Sequence, residues 1–336
     1  MAIQDTEEAV LAAEPIKGRS LWQDARRRLF ANRAAVTSMV ILFIIAALAI
    51  VVPNVSPHPY KKDYYDRVAC PPPDALNPER GVTQAINWVR EGLGYAPAAL
   101  PLSQAELCPE AVGQGHWFGT DANGRDLFTR TFLGAGVSLM VGLTATIVAL
   151  FIGVLYGATA GYLGGRVDNY MMRFVDILYA LPFIFFVIIL MVVFGRNFVL
   201  MFVAIGAVEW LTMARIVRGQ TLSIRRKEYI EAAEAAGVSN WAIIRRHILP
   251  NVVGPVIVFV TLTVPAVILA ESFLSFLGLG VQEPWTSWGV LISEGAQQMQ
   301  SYSWMLIYPA LMLSITLFCF NFIGDGLRDA LDPKDR

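Results

Sequence analysis

Residues 34–53 read AAVTSMVILFIIAALAIVVP, with no charged side chain among them. At 1.5 Å per residue a helix of this length spans roughly 30 Å, the thickness of a bilayer hydrocarbon core. A helix also satisfies its own backbone polar groups, which lipid cannot do for it. The run is longer than a signal-peptide apolar region and is not followed by a small-x-small cleavage site, so it reads as a retained anchor.

The same reading extends along the chain. Further apolar stretches occupy about 137–161, 174–194, 198–214, 252–277 and 304–323. The stretch 198–214 is the weakest, being short and carrying Glu209. Composition agrees: 55% of residues are hydrophobic and 16% charged, and mean hydropathy is +0.52, beyond what a water-soluble domain carries. The expectation is an all-α membrane protein with six transmembrane helices. A net charge of −1 gives no basic field for nucleic acid. Three cysteines and three scattered histidines give no metal-site spacing, so no metal or cofactor is expected in this chain.

Orientation follows from basic residues in short flanks. Lys17, Arg19, Arg26, Arg27, Arg28 and Arg33 precede the first span, and 215–250 is again rich in Arg and Lys. Between the third and fourth spans there is only Arg196, and 278–303 has no Lys or Arg. The tail 1–33, the segment 218–251 and the tail 324–336 are therefore expected in the cytoplasm. The core is expected over 136–323.

The segment 54–135 shifts in composition, with prolines at 57, 59, 71–73, 97, 101 and 109. It reads as an extracytoplasmic insertion with little regular structure. Cys70 and Cys108 fall in it. In an oxidising compartment they are candidates for a disulfide contributing roughly 4 kcal/mol, the alternative being two free thiols. Cys319, in the sixth span, reads as packing.

Within the spans, Ala145, Ala149, Gly153, Gly157 and Gly161 recur every four residues and form one small-residue stripe. Such stripes allow close helix approach, either as intramolecular packing or as a face that slides against a partner helix. Arg173 and Asp176 are spaced to pair on one helical face. Glu209 and Glu271 are candidates to line a solute path, with interhelical hydrogen bonds as the alternative. Pro182, Pro255 and Pro265 interrupt the third and fifth spans.

The segment 218–251, RGQTLSIRRKEYIEAAEAAGVSNWAIIRRHILPN, holds two short helical patterns hinged at Gly237. Ala232, Ala233, Ala235 and Ala236 are small, strong helix formers. Gly237 can take positive φ and end that helix, and Ser239 can cap the next, which runs to His247. Pro250 then opens the fifth span. A small face outside the bilayer lets another protein's surface come close; a solvated basic loop is the plainer reading.

Here the chain resembles a known family. Glu231, Ala232, Ala233 and Gly237, followed by HILPN (247–251), are similar to the EAA loop of ABC importer permeases. GTDANGRD (119–126), ESFLSFLGLG (271–280), GDGLRDALDP (324–333) and GRSLWQDARRR (18–28) resemble further segments, in the same order, of the C-type permease subunits of bacterial oligopeptide and dipeptide importers. The insertion at about 55–115 is longer than the family pattern. The resemblance implies the type I ABC importer permease fold, in the bacterial inner membrane, without covalent chemistry. It implies Glu231, Ala232, Ala233, Gly237, His247 and Pro250 as the ATPase-coupling residues. It also implies a B-type permease partner, two ATPase subunits carrying ATP and Mg, and an extracytoplasmic peptide-binding protein. No G-x4-G-K-[ST] occurs here. Dipeptide or nickel import, and an ion-coupled carrier using Glu209, are the competing functions; a membrane peptidase lacks its H-E-x-x-H motif.

The topology predicts that a reporter active only outside the cytoplasm is active when fused after Pro109 or near Ser287. Fused at Arg225 or after Pro333, it is silent. Reporter activity at Arg225 would overturn the orientation.

Overall fold

The computed structural model describes residues 21–65, 68–72, 116–195 and 198–331. Among them the regular structure is helical: α1 (Leu21–Ala31), α2 (Arg33–Val55), α3 (Leu127–Leu163), α4 (Gly165–Ala180), α5 (Phe183–Phe194), α6 (Phe198–Arg225), α7 (Glu228–Ala235), α8 (Asn240–Phe276), α9 (Trp288–Gln297) and α10 (Trp304–Leu331). The only extended pairing there is an isolated bridge between Thr120 and Asp126.

Among the described residues four helices, α2, α3, α8 and α10, are long and apolar enough to cross a membrane, and α4 with α5 makes up to a fifth. The expected third span, 174–194, is not one helix. Its two halves bend by 80°. The break falls where proline chemistry puts it: Leu181, just before Pro182, is extended at φ −75°, ψ 125°, the region to which a following proline ring confines it. The expected fourth span lies in α6, which is helical through Arg225 but is not among the apolar crossings. Pro255 and Pro265, by contrast, sit inside an unbroken α8.

Other boundaries move for identifiable reasons. The insertion expected to reach 135 ends at Asp126, whose carboxylate accepts the Thr129 N–H at 2.7 Å and caps α3. The C-terminal tail is helical through Leu331 as a continuation of α10, and part of the N-terminal tail forms α1. The connection after α8 contains α9, capped by Ser287, which accepts the Val290 N–H at 3.3 Å. Asp176 does not pair with Arg173. Its carboxylate accepts from Arg215 on α6 at 2.8 Å, and that guanidinium also lies 4.2 Å from the centre of the Tyr179 ring.

The most extensive helix pair is α3 with α6, and the small-residue stripe is its seam. Ala145, Ala149, Gly153, Gly157 and Gly161 are all buried. A methyl group added at Gly153 would meet Met213 Cβ at 2.6 Å and the Trp210 carbonyl at 2.8 Å. At Gly161 it would meet Thr221 Cβ at 2.8 Å. The stripe is therefore used within the chain, and the second reading, a sliding face, has no free surface to act on. Around this seam α8 packs on α3, α6 and α10, and α2 packs on α3 and α10.

Gly157→Val should force α3 and α6 apart, since its Cβ would lie 3.0 Å from the Arg218 nitrogen and from Val217 Cβ. Overpacking of this kind costs about 1–3 kcal/mol. Gly254→Ala, where an added methyl meets nothing within 4 Å, should leave stability unchanged or raised. Thermal unfolding of the two variants in detergent checks the contrast.

Candidate coupling site

The segment after α6 turns back on itself at Lys227 and forms α7, EYIEAAEA. Glu228 and Glu231 fall in its first turn, where a carboxylate complements the positive end of the helix dipole. The helix ends at Gly237, which takes φ +75°. The Gly237 N–H donates to the Glu234 carbonyl at 3.0 Å, and the Val238 N–H donates to the Ala233 carbonyl at 3.1 Å. These two bonds make a Schellman motif, with Ala233 and Val238 packed against one cluster, as that motif favours. An added methyl at Gly237 would touch nothing within 4 Å. The requirement for glycine there comes from the backbone alone.

The two faces of α7 differ. Ile230 is fully buried, and Ala233 is half-buried beside it, in a cluster with Ala158, Tyr162, Met213, Ile243 and Ile248. Glu234 accepts from the Tyr162 hydroxyl at 2.9 Å, which ties α7 to the end of α3. Glu231, Ala232, Ala235 and Ala236 are exposed. Ala232 and Ala236 lie one turn apart, with Tyr229 three residues before Ala232 on the same side. The sequence placed Ala233 on the outward small face; the structure turns it inward. Three-residue spacing from Ile230 puts both on the packed side.

Beyond the turn, Ser239 occupies the cap position, but its side chain makes no capping hydrogen bond. The second arm also does not stop at His247. Asn240–Ile243 passes through a π-helical turn, Ile244–Ile248, directly into Leu249–Phe276, so that α8 runs unbroken over 37 residues. His247 lies in that π turn, half-buried, with its ring 6.3 Å from the ring of Tyr229. Pro250 follows at the second position of the next α-helical stretch, where a missing N–H costs least. Trp241 is 56% exposed and Tyr229 44% exposed. These aromatics and the Tyr162–Glu234 anchor were not singled out in the sequence. Aromatics are common in any apolar chain, and the anchor joins residues far apart in it.

The remaining candidates lie elsewhere. Glu271 has no exposure. Its carboxylate accepts from Ser275 Oγ at 2.6 Å and from Ser138 Oγ at 3.2 Å, while Ser138 Oγ in turn accepts the Trp288 N–H at 3.2 Å. It is a buried tie between α8, α3 and α9, the interhelical alternative, and not the wall of a cavity. Glu209 is half-buried on α6. Ile216 and Gln220, on the same helical face, line a cavity of about 500 Å³ with Pro255, Phe259 and Arg328. Cys70 is buried and disulfide-bonded, and Cys319 is a free buried thiol. Cys108 lies outside the described residues.

At the opposite end of the molecule the 119–126 segment builds an ion network. Asp121 accepts the Asn123 and Arg125 N–H groups at 2.8 and 2.9 Å and is bound by the side chains of Arg125 and Arg130. Arg125 continues to Glu283 at 2.7 Å and Arg130 to Glu294 at 3.0 Å. The network thus ties the start of α3 to α9, which packs on the far end of α8.

Comparison with known proteins agrees with this arrangement. Residues 153–336 match the family described as "Binding-protein-dependent transport system inner membrane component". Residues 20–73 match the N-terminal TM domain of oligopeptide transport permease C. The chain is 49% identical to an oligopeptide transport system permease protein of Haemophilus influenzae, covering 96% of this chain and 91% of that one. To its Escherichia coli K12 counterpart it is 51% identical over 96% and 94%. To a dipeptide transport system permease protein of Bacillus subtilis it is 43% identical over 96% and 90%. A helix pair outside the apolar core, an unbroken rod into that core and these matches together place the chain in the family of inner-membrane permease components of binding-protein-dependent transport systems.

Proposed function

We propose that this chain is the C-type permease subunit of an ATP-driven importer that moves oligopeptides into the cytoplasm by alternating access. It works in the bacterial inner membrane with both termini cytoplasmic. A B-type permease subunit completes the channel, two ATPase subunits bind ATP and Mg, and an extracytoplasmic peptide-binding protein delivers the substrate. The relatives at 49% and 51% identity are named for oligopeptides, which supports the oligopeptide reading. The pairing of Cys70 with Cys108 staples the outer insertion.

One observation carries the mechanism. The helix α7 is rigidly terminated, presents Ala232 and Ala236 outward, and is fixed by its other face to an α8 that crosses the core without a break. An ATPase surface seated on the small outward face can come within backbone distance of α7. Its movement then reaches α8 through Ile230, Ala233 and the Gly237 turn, with little lost in bending. Glu231 borders the docking surface; His247 and Pro250 lie where the arm enters the core. Glu209 is assigned to the solute path, because its helical face runs into the cavity between α6, α8 and α10.

Three variants separate docking from packing. Ala232→Trp should leave the chain inserted and abolish co-purification of the ATPase subunits. Gly237→Val places a β-branched residue at positive φ, at a cost of about 1–3 kcal/mol. It should uncouple ATP hydrolysis from peptide uptake in reconstituted vesicles. Ala233→Trp should instead lower the thermal stability of the chain itself. Parental binding and uptake in both of the first two would overturn the coupling assignment. Glu209→Gln should keep assembly and alter the rate or preference of uptake across a peptide series. Unchanged uptake would remove Glu209 from the path.

A further inference from the structure

The first helix, LWQDARRRLFA, is used on one side only. Ala25 is buried and Leu29 half-buried, and the helix packs on α10 near Gly326, where an added methyl would lie 3.4 Å from Leu29 Cδ1. Asn32 ends α1 and caps α2: its N–H donates to the Arg28 carbonyl at 3.1 Å, and its side chain accepts the Ala35 N–H at 3.2 Å. Helix α1 is thereby fixed next to the first residues of an apolar span.

Its other side carries large exposed side chains. Trp22 is 54% exposed and Phe30 62% exposed. Arg26 lies between them at four-residue spacing, Arg33 follows three residues after Phe30, and Arg27 adjoins; all three arginines are exposed. Asp24 is the sole acid of α1, and it is half-buried. In water, two large aromatics held open among arginines gain nothing. At a membrane–water boundary the same set is matched from both sides. Aromatic rings partition to the headgroup level, and guanidinium groups meet phosphate with paired donors.

We propose that the exposed face of α1, formed by Trp22, Arg26, Arg27, Phe30 and Arg33, binds the anionic phospholipid headgroups of the cytoplasmic leaflet. The assignment rests on the cytoplasmic placement of the N-terminus proposed above. The occupant follows from charge: an anionic surface complements three exposed arginines, and the adjoining span holds the face at headgroup depth. The rings seat the helix, and the arginines select anionic over zwitterionic lipid. Because α1 packs on α10, the lipid also fixes the cytoplasmic end of that helix.

The test uses the assembled transport complex. Purified from membranes and analysed by native mass spectrometry, the parent should retain phosphatidylglycerol in excess over phosphatidylcholine, and 0.5 M salt should remove the excess. Each surface arginine contributes about five-fold in binding to an anionic leaflet. The triple variant Arg26→Gln, Arg27→Gln, Arg33→Gln should therefore lose at least ten-fold of that preference while co-purifying with its partners. The pair Trp22→Ala, Phe30→Ala should lower retention of both lipids alike. Equal phosphatidylglycerol retention by parent and triple variant would overturn the proposal. So would a photo-crosslinker at position 27 that captures another protein subunit in place of lipid. Protease protection of an N-terminal tag reads orientation separately: a tag cleaved from outside refutes the topology, and a protected tag with unchanged lipid retention refutes this proposal alone.

Discussion

The close approach of α3 to α6 is the contact from which the other contacts follow. In a bilayer no hydrophobic force draws two apolar helices together, because lipid tails are as apolar as they are. What remains is dispersion between backbones, and that grows only when nothing stands between them. Gly153, Gly157 and Gly161 leave that space clear, and Met213, Val217 and Thr221 fill it from α6. This seam brings the end of α3 at Tyr162 beside the end of α6 from which α7 continues. Tyr162 on the one is then in place to hold the α7 helix that follows the other.

A second consequence is the treatment of α8. On the coupling role proposed above, α8 must carry movement without absorbing it. Pro250, Pro255 and Pro265 leave α8 continuous, and the π turn at Ile244–Ile248 is its one departure from α-helical winding, at the point where the arm enters the core. Turns of this kind recur at functional positions in helices. About 35 Å beyond that turn, at 1.5 Å per residue, Glu271 ties the far end to α3 and α9 through serine hydroxyls. An ionisable group in such a place needs partners that satisfy it, and the surrounding serines do so. The network of Asp121, Arg125, Arg130, Glu283 and Glu294 then fixes α9 against the start of α3. Both ends of α8 are thus engaged, one beside α7 and the other beside α3 and α9.

The surface proposed for coupling is small. Part of α7 holds it to its own chain: Ile230 is buried, Ala233 half-buried, and the exposed Glu234 accepts from Tyr162. What is offered outward is a strip of alanines between Tyr229 and Gly237. A strip of methyl groups lets a partner's backbone approach, as glycine does within the seam, but here across a boundary between chains.

Much of this was legible in the sequence. Apolar run length is a local property, and lipid imposes it without regard to tertiary contacts; α2, α3, α8 and α10 follow from it. The Gly237 turn was equally legible, since positive φ depends on one residue's own sterics. So was the break at Pro182, although not its size. The direction each face takes was not. The spacing of Ala232, Ala233 and Ala236 fits several helical faces, and only the position of Ile230 over Tyr162 and Met213 decided which of them turns inward. Likewise Asp176 has an acceptable partner in its own helix at Arg173, but Arg215 reaches it from α6 with Tyr179 beneath its guanidinium. Glu271 read the same whether it lined a path or tied helices, because a carboxylate's role depends on what surrounds it. The sequence determined which segments enter the membrane and where the external turn lies, because hydropathy and φ act residue by residue. Tertiary structure alone decided which side chains meet, because packing is settled between segments that are distant in the chain.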